Sequence, residues 1–181
     1  MDDDLLMLQF ANGNEKAMET LYRNWAPRVM AYAGRCLGDF HEAQDVAQES
    51  FMMLSKSAVD YEPRGRFGAY LFRIAGNIVR SRCRKKTPIL GVIEELDNEP
   101  NDEGIPEDTA LWRIDLERAL EKLPADQKEA LLLVVCGGLS YDEAALVQGV
   151  SQDALAQRVS RSRKGLFMMF SGKGTEGGNL K

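Results

Sequence analysis

Gly138-Leu-Ser-Tyr-Asp-Glu-Ala-Ala-Leu-Val-Gln-Gly-Val-Ser-Gln-Asp-Ala-Leu-Ala-Gln-Arg-Val-Ser-Arg-Ser-Arg-Lys-Gly-Leu-Phe167 reads as two helices joined by a tight turn. Ser140 is placed to cap the first helix, and Glu143, three residues on, completes a capping box. Gly149 supplies the turn, and Ser151 caps the second helix. In that second helix Leu155, Val159, Ser162 and Leu166 fall on one inward stripe. Arg158, Arg161, Arg163 and Lys164 lie mostly outside it, where a DNA groove or its phosphates would meet them. The stretch predicts a helix-turn-helix and, with it, contact with duplex DNA.

The charge distribution agrees with that reading, although the net charge of −5 does not. From Glu62 to Lys86 there are eight basic residues against one acidic, a net of +7; from Ser151 to Lys173, five against one, a net of +4. Between these basic islands, Glu94 to Glu121 holds eleven acidic and two basic residues, a net of −9. Pro100, Gly104 and Pro106 interrupt helical periodicity there, so that segment begins as a flexible linker.

The remainder is helical in pattern, with no strand-like alternation long enough for a sheet. Asp4 or Asp3 is placed to cap a short first helix ending near Gly13. Asn14 is placed to cap a second, through Leu21, Trp25, Val29 and Tyr32 to Leu37, with Pro27 inside it. Gly38 closes that helix and Asp39 caps a third, whose inward residues are Ala43, Val46, Ser50, Phe51 and Leu54. Its other face carries His41, Asp45, Gln48, Glu49 and Met52. After a break over residues 60–67, a fourth helix runs from about Gly68 to Lys86 with Leu71, Ile74, Ala75 and Ile78 buried. Four further helices follow from near Thr109, the first stopping before Pro124. The predicted fold is therefore all-α: a helical domain over residues 1–86, an acidic linker over 87–108, a helix-turn-helix domain over 109–170, and a disordered tail over 171–181.

Nothing resembles a signal peptide, and no apolar run approaches the ~20 residues that span a bilayer, so a cytoplasmic protein is expected. Cys36, Cys83 and Cys136 are far apart in sequence and lack metal-ligand spacing, which favours reduced thiols over zinc or disulfides. His41, Asp45 and Glu49 recur at i, i+4, but one helix supplies too few ligands and there is no second His. No nucleophile motif accompanies that lone His. No metal, no cofactor, no small-molecule substrate and no enzymatic activity are expected.

Taken in order, these pieces resemble the bacterial RNA polymerase sigma factors of the extracytoplasmic-function group. Gly38 to Phe51 looks like that family's core-polymerase-binding helix, with Asp45, Gln48, Glu49 and Phe51 in its Asp-x-x-Gln-Glu-x-Phe pattern. Phe67-x-x-Tyr-Leu-x-x-Ile-Ala-x-Asn77 is similar to the promoter-melting segment. Leu123-Pro124 and the run from Gly138 to Ser151 resemble the family's DNA-binding fourth domain. Three residues depart from the usual pattern: Tyr70 stands where Trp is common, Ala156 where a basic residue is frequent, and Gln148 where an apolar residue precedes the turn glycine.

The resemblance implies that Asp45, Gln48, Glu49 and Met52 face a coiled coil of the polymerase largest subunit, with the flap region as a second contact. It implies that Gln152, Gln157, Arg158 and Arg161 read the minus-35 element while Arg163 and Lys164 hold backbone. For the melted minus-10 element, it implies apolar walls or stacking from Tyr61, Phe67 and Tyr70, charge from Arg64, Arg66, Arg73, Arg80 and Arg84, and a base-edge amide from Asn77. It also implies an anti-sigma partner that clamps or releases the two domains. Two alternatives stay open on the residues alone. One is a sigma mimic that occupies an anti-sigma factor; the other is an ordinary helix-turn-helix regulator.

Overall fold

A computed structural model of the chain describes residues 2–86 and 107–171, and within the second stretch side chains from residue 114 onward. The predicted linker lies outside the described residues except for Glu107 and Asp108, which are already helical. The predicted tail lies outside them except for Ser171, the last residue of the final helix.

Eight α-helices and one 3-10 turn make up the described chain: α1 (Asp3–Ala11), α2 (Glu15–Leu37), α3 (Phe40–Lys56), the turn Ala58–Asp60, α4 (Phe67–Lys86), α5 (Glu107–Glu121), α6 (Ala125–Val135), α7 (Tyr141–Gln148) and α8 (Gln152–Ser171). The punctuation follows local chemistry. Asp39 accepts a hydrogen bond from the Glu42 amide at 2.9 Å, and Ser140 and Glu143 form a reciprocal capping box. Gly149 ends α7 at φ 67°, a left-handed conformation that costs a side chain-bearing residue about 1–2 kcal/mol.

Two caps differ from the sequence reading. Asp2, rather than Asp3 or Asp4, caps α1, its carboxylate accepting from the Asp4 amide at 3.1 Å. Asp3 and Asp4 are drawn to tertiary partners instead. Asn14 sits at the N-cap of α2 but makes no side-chain cap bond. The buried stripes behave as the 3.6-residue period requires: Val46, Leu54, Leu71, Ala75, Leu155 and Val159 are all at most 1% exposed. Burying each Leu stabilises the fold by about 1.5–3 kcal/mol.

The two helical domains are packed against one another. α7 lies on α4 and α6 reaches α2, so one hydrophobic cluster runs through both. Gly68 marks the closest approach: a Cβ there would fall 2.6 Å from Trp25 Cη2 and 2.9 Å from Leu139 Cδ2. Leu139, at the start of the helix-turn-helix, thus plugs into the first domain beside Trp25. The helix-turn-helix stretch by itself predicts where Ser140, Gly149 and Leu155 lie, but not this docking.

Candidate nucleic-acid and polymerase interfaces

Residues 61–66 connect the 3-10 turn to α4 and close over a cleft of about 380 Å³ lined by Tyr61, Arg64, Arg66, Tyr70 and Arg73, by the carboxylates Asp60 and Glu62, by Ala69 and, from the second domain, by Leu146. Five residues singled out for the minus-10 element therefore meet around one space. The aromatic rings are fixed from behind. Tyr61 donates its hydroxyl to Asp4 Oδ1 at 2.7 Å, and Tyr70 donates to Ser57 Oγ at 2.8 Å. The two rings meet edge to face at 5.2 Å. Burial, then the bond to Asp4, pushes the Tyr61 phenol pKa well up, so it stays a proton donor. Phe67 is 3% exposed and packs on Trp25 and Tyr61, so it backs the cleft from the core and offers no stacking surface.

The cations around the cleft differ in their engagements. Arg64 pairs with Glu62 on the exposed loop, Arg66 reaches Asp142 of α7 at 2.9 Å, and Arg73 is exposed. Arg66, Tyr70, Arg73, Asn77, Arg80 and Arg84 succeed one another at steps of four and three, which aligns them along one side of α4. Asn77 lies two turns, about 10 Å, beyond Tyr70 along that stripe. Its Oδ1 accepts from Arg80 Nη2 at 2.7 Å. Asn77, Arg80 and Arg84 thus stand apart from the cleft on the continuing stripe.

Arg80 also pairs with Glu129 of α6 at 2.5 Å, and Glu129 accepts from the wholly buried Tyr32 hydroxyl at 3.1 Å. Burial and the neighbouring Cys36 and Glu129 raise the Tyr32 phenol pKa far above its ordinary value. Glu129 continues into the second domain, where Gln148 Nε2 donates to it at 3.2 Å. Gln148 Oε1 accepts from Arg158 at 2.8 Å, and Arg158 pairs with Asp126 at 3.2 Å. Gln148, the departure from the usual apolar residue, is thereby accounted for: it links Glu129 to Arg158 of α8.

Within α8, Ser162 is fully buried and donates to the carbonyls of Gln127 and Arg158 at 2.6 and 2.8 Å, which ties α8 to α6. Gln152, Gln157, Arg161, Arg163 and Lys164 are exposed, whereas Arg158 is half-buried. Gln157, Arg161 and Lys164 share one face at i, i+4, i+7. Arg163, Lys164 and Phe167 also line a second cleft of about 350 Å³ with Tyr141 and Ala156.

On α3, Asp45, Gln48 and Met52 are exposed and Glu49 is half-buried, all on the face opposite the core. Phe40 and Met53 add exposed apolar surface to the same helix. Arg82 of α4 braces this acidic face, donating to Glu49 at 2.9 Å and to the Glu42 carbonyl at 3.2 Å, with Asp45 at 4.0 Å. Arg82, Asp4, Glu129 and Leu146 were not among the residues selected from sequence. Arg82 left a signal there as a member of the +7 island, and Asp4 only as a candidate helix cap.

Residues 21–89 match the family described as Sigma-70 region 2, and residues 113–166 match Sigma-70, region 4. The ECF RNA polymerase sigma factor SigE of Mycolicibacterium smegmatis is 34% identical over 86% of this chain, which spans 63% of that relative's length. RNA polymerase sigma factor CnrH of Cupriavidus metallidurans is 32% identical, with 89% of this chain and 90% of CnrH covered. The chain belongs to the extracytoplasmic-function sigma factors of bacterial RNA polymerase. Its fold agrees: the structure of CnrH in complex with the cytosolic domain of CnrY superposes with a TM-score of 0.75 at 26% identity, covering 95% of this chain and 99% of CnrH. As a sigma factor it binds core RNA polymerase and promoter DNA and directs promoter-specific initiation. The helix-turn-helix-regulator alternative leaves the region 2 match, and with it the acidic α3 face, without a role.

Proposed function

We propose that this sigma factor divides its work among three surfaces. The exposed acidic face of α3, at Asp45, Gln48, Glu49 and Met52, takes the polymerase largest subunit. The cleft framed by Tyr61, Arg64, Arg66, Tyr70 and Arg73 receives an unstacked minus-10 base, and the α4 stripe through Asn77, Arg80 and Arg84 carries the non-template strand. The exposed face of α8 at Gln157, Arg161 and Lys164 enters the minus-35 major groove, with Arg158 joining on exchange of its protein partners for DNA. Gln152 and Arg163 flank that face and hold phosphates. The protein acts by binding, in the cytoplasm, and the polymerase performs the chemistry.

One observation carries this reading: five residues spread over thirteen positions, three of them arginines and two of them tyrosines, converge on a single base-sized cleft. An anti-sigma partner fits the same scheme. The CnrH structure is a complex with the cytosolic domain of CnrY, and the similar sigma factor RpoE from Bartonella quintana is seen in complex with the anti-sigma factor NepR. A partner of that class would grip the two domains here as they pack together.

Reconstituted transcription with sigma-free core polymerase tests the division. Arg161→Ala with Lys164→Ala should weaken minus-35 binding and leave core affinity intact, and Asp45→Ala with Gln48→Ala should do the reverse. Indistinguishable defects from the two pairs would refute separate surfaces.

A further inference from the structure

Three consecutive aspartates open α1, and each has a different task. Asp2 caps the helix, Asp3 accepts from Trp25 Nε1 at 3.0 Å, and Asp4 is buried at 5% exposure. Among the described residues Asp4 is the one buried side chain that bears a carboxylate. A buried carboxylate is costly unless hydrogen bonds satisfy it. Asp4 meets that demand at the first turn of α1, where the helix dipole favours a negative charge, and through two donors distant in sequence. Tyr61 Oη donates to Oδ1 at 2.7 Å and the Gly65 amide donates to Oδ2 at 2.5 Å.

These two donors bracket Glu62, Pro63 and Arg64, which are all exposed. Among the described residues the amides of 62–66 make no backbone–backbone hydrogen bond, so the Gly65 bond to Asp4 is what the loop has in place of a ladder. Gly65 itself is at φ 66°, with nothing within 4 Å of where a Cβ would stand, so packing does not hold it either. The loop's shape is thus set from its two ends by one carboxylate. Asp3 supports the same assembly, because Trp25 is the ring on which Phe67 rests and Phe67 in turn backs Tyr61.

We propose that Asp4 is a positioning residue for minus-10 recognition: acting through Tyr61 and Gly65, it holds the 61–65 loop at the mouth of the cleft and thereby sets base discrimination without touching DNA. This rests on the reading of the cleft as the minus-10 base site. The physical expectation is specific. Asp4→Asn keeps the volume but offers one acceptor where two donors point, so one end of the loop is released. Tyr61→Phe deletes a single oxygen and releases the other.

The test uses the full chain with core polymerase and a promoter recovered by transcription of genomic fragments. A duplex library randomised across the six minus-10 base pairs, beneath the intact minus-35 element, is transcribed by each variant. Asp4→Asn and Tyr61→Phe should each reduce best-over-worst base preference at one minus-10 position about tenfold, the scale of one charge-assisted hydrogen bond. The double variant releases both ends of the loop and should lose more preference than either single variant. Minus-35 duplex affinity and core affinity should stay near wild type for Tyr61→Phe, although the donor it takes from a buried carboxylate lowers its melting temperature. If Asp4→Asn lowers all activities in parallel with its melting temperature, and Tyr61→Phe leaves the preference ladder untouched, Asp4 is only structural and the proposal is overturned. Tyr70→Ala with Arg73→Ala separates the two levels. If that pair alters the ladder while Asp4→Asn and Tyr61→Phe do not, the cleft reading survives and the Asp4 role fails; if that pair also leaves the ladder intact, the cleft reading fails and takes the Asp4 role with it.

Discussion

Removing Glu129 should destabilise the protein through a residue of the opposite domain. Glu129→Ala leaves the Tyr32 hydroxyl, on a fully buried side chain, with no acceptor, a loss of about 1–3 kcal/mol. The ion pair with Arg80 adds little, about 0–1 kcal/mol, because the Arg80 side chain is 37% exposed and rehydrates. The expected total is about 1–4 kcal/mol, or roughly 2–16 °C in melting temperature for a chain of this size. Glu129→Gln keeps an acceptor for Tyr32 and should cost under about 1 kcal/mol. Tyr32→Phe removes the stranded donor, so Glu129→Ala combined with Tyr32→Phe should recover at least about 1 kcal/mol relative to the sum of the single variants. Urea unfolding followed by circular dichroism at pH 7 measures all four. Strict additivity in this cycle, or equal losses for Ala and Gln at position 129, would refute the buried-donor account.

Leu155→Ala empties a fully buried site in the helix-turn-helix and should cost about 2–5 kcal/mol, visible in thermal melts together with loss of minus-35 binding. Gly68→Ala drives a methyl into Trp25 and Leu139 and should cost about 1–3 kcal/mol, whereas Gly149→Ala, with open space around it, should cost only the left-handed penalty of about 1–2 kcal/mol. Burial, against the pull of Lys128, pushes the Cys36 thiol up from 9.0 to about 12. Its folded pKa is the higher one, so its contribution is complete below pH 9 and is lost as pH rises from 9 toward 12; Cys36→Ala should flatten that part of an alkaline stability profile. At pH 8 iodoacetamide should label exposed Cys83 well before Cys36, as mass spectrometry of a time course will register.

Local signals were legible because their causes are local. Asp39, Ser140, Gly149 and Ser151 announce helix ends through atoms within four residues, and all four occupy those ends. Leu155, Val159 and Ser162 announce a buried stripe by spacing alone. The three N-terminal aspartates show where that logic stops. Any of them suits a cap, and the choice falls to Asp2 because Trp25, Tyr61 and Gly65 claim the other two from 22, 57 and 61 residues away. Phe67 was marked as a cleft residue for its chemistry, yet its ring is spent in the core, while Leu146 reaches the cleft from a domain that the sequence reading kept separate. Contacts between domains depend on docking, and no periodicity within one helix encodes it.

Asp126 and Glu129 lie three residues apart on α6, and between them they engage Arg158 of α8 and Arg80 of α4. Under the proposed division of surfaces, protein carboxylates already stand where phosphate or guanine oxygens would arrive. Promoter capture at these two arginines would then be a barter of one anion for another, with selectivity drawn from geometric fit and from how many such swaps the duplex completes together.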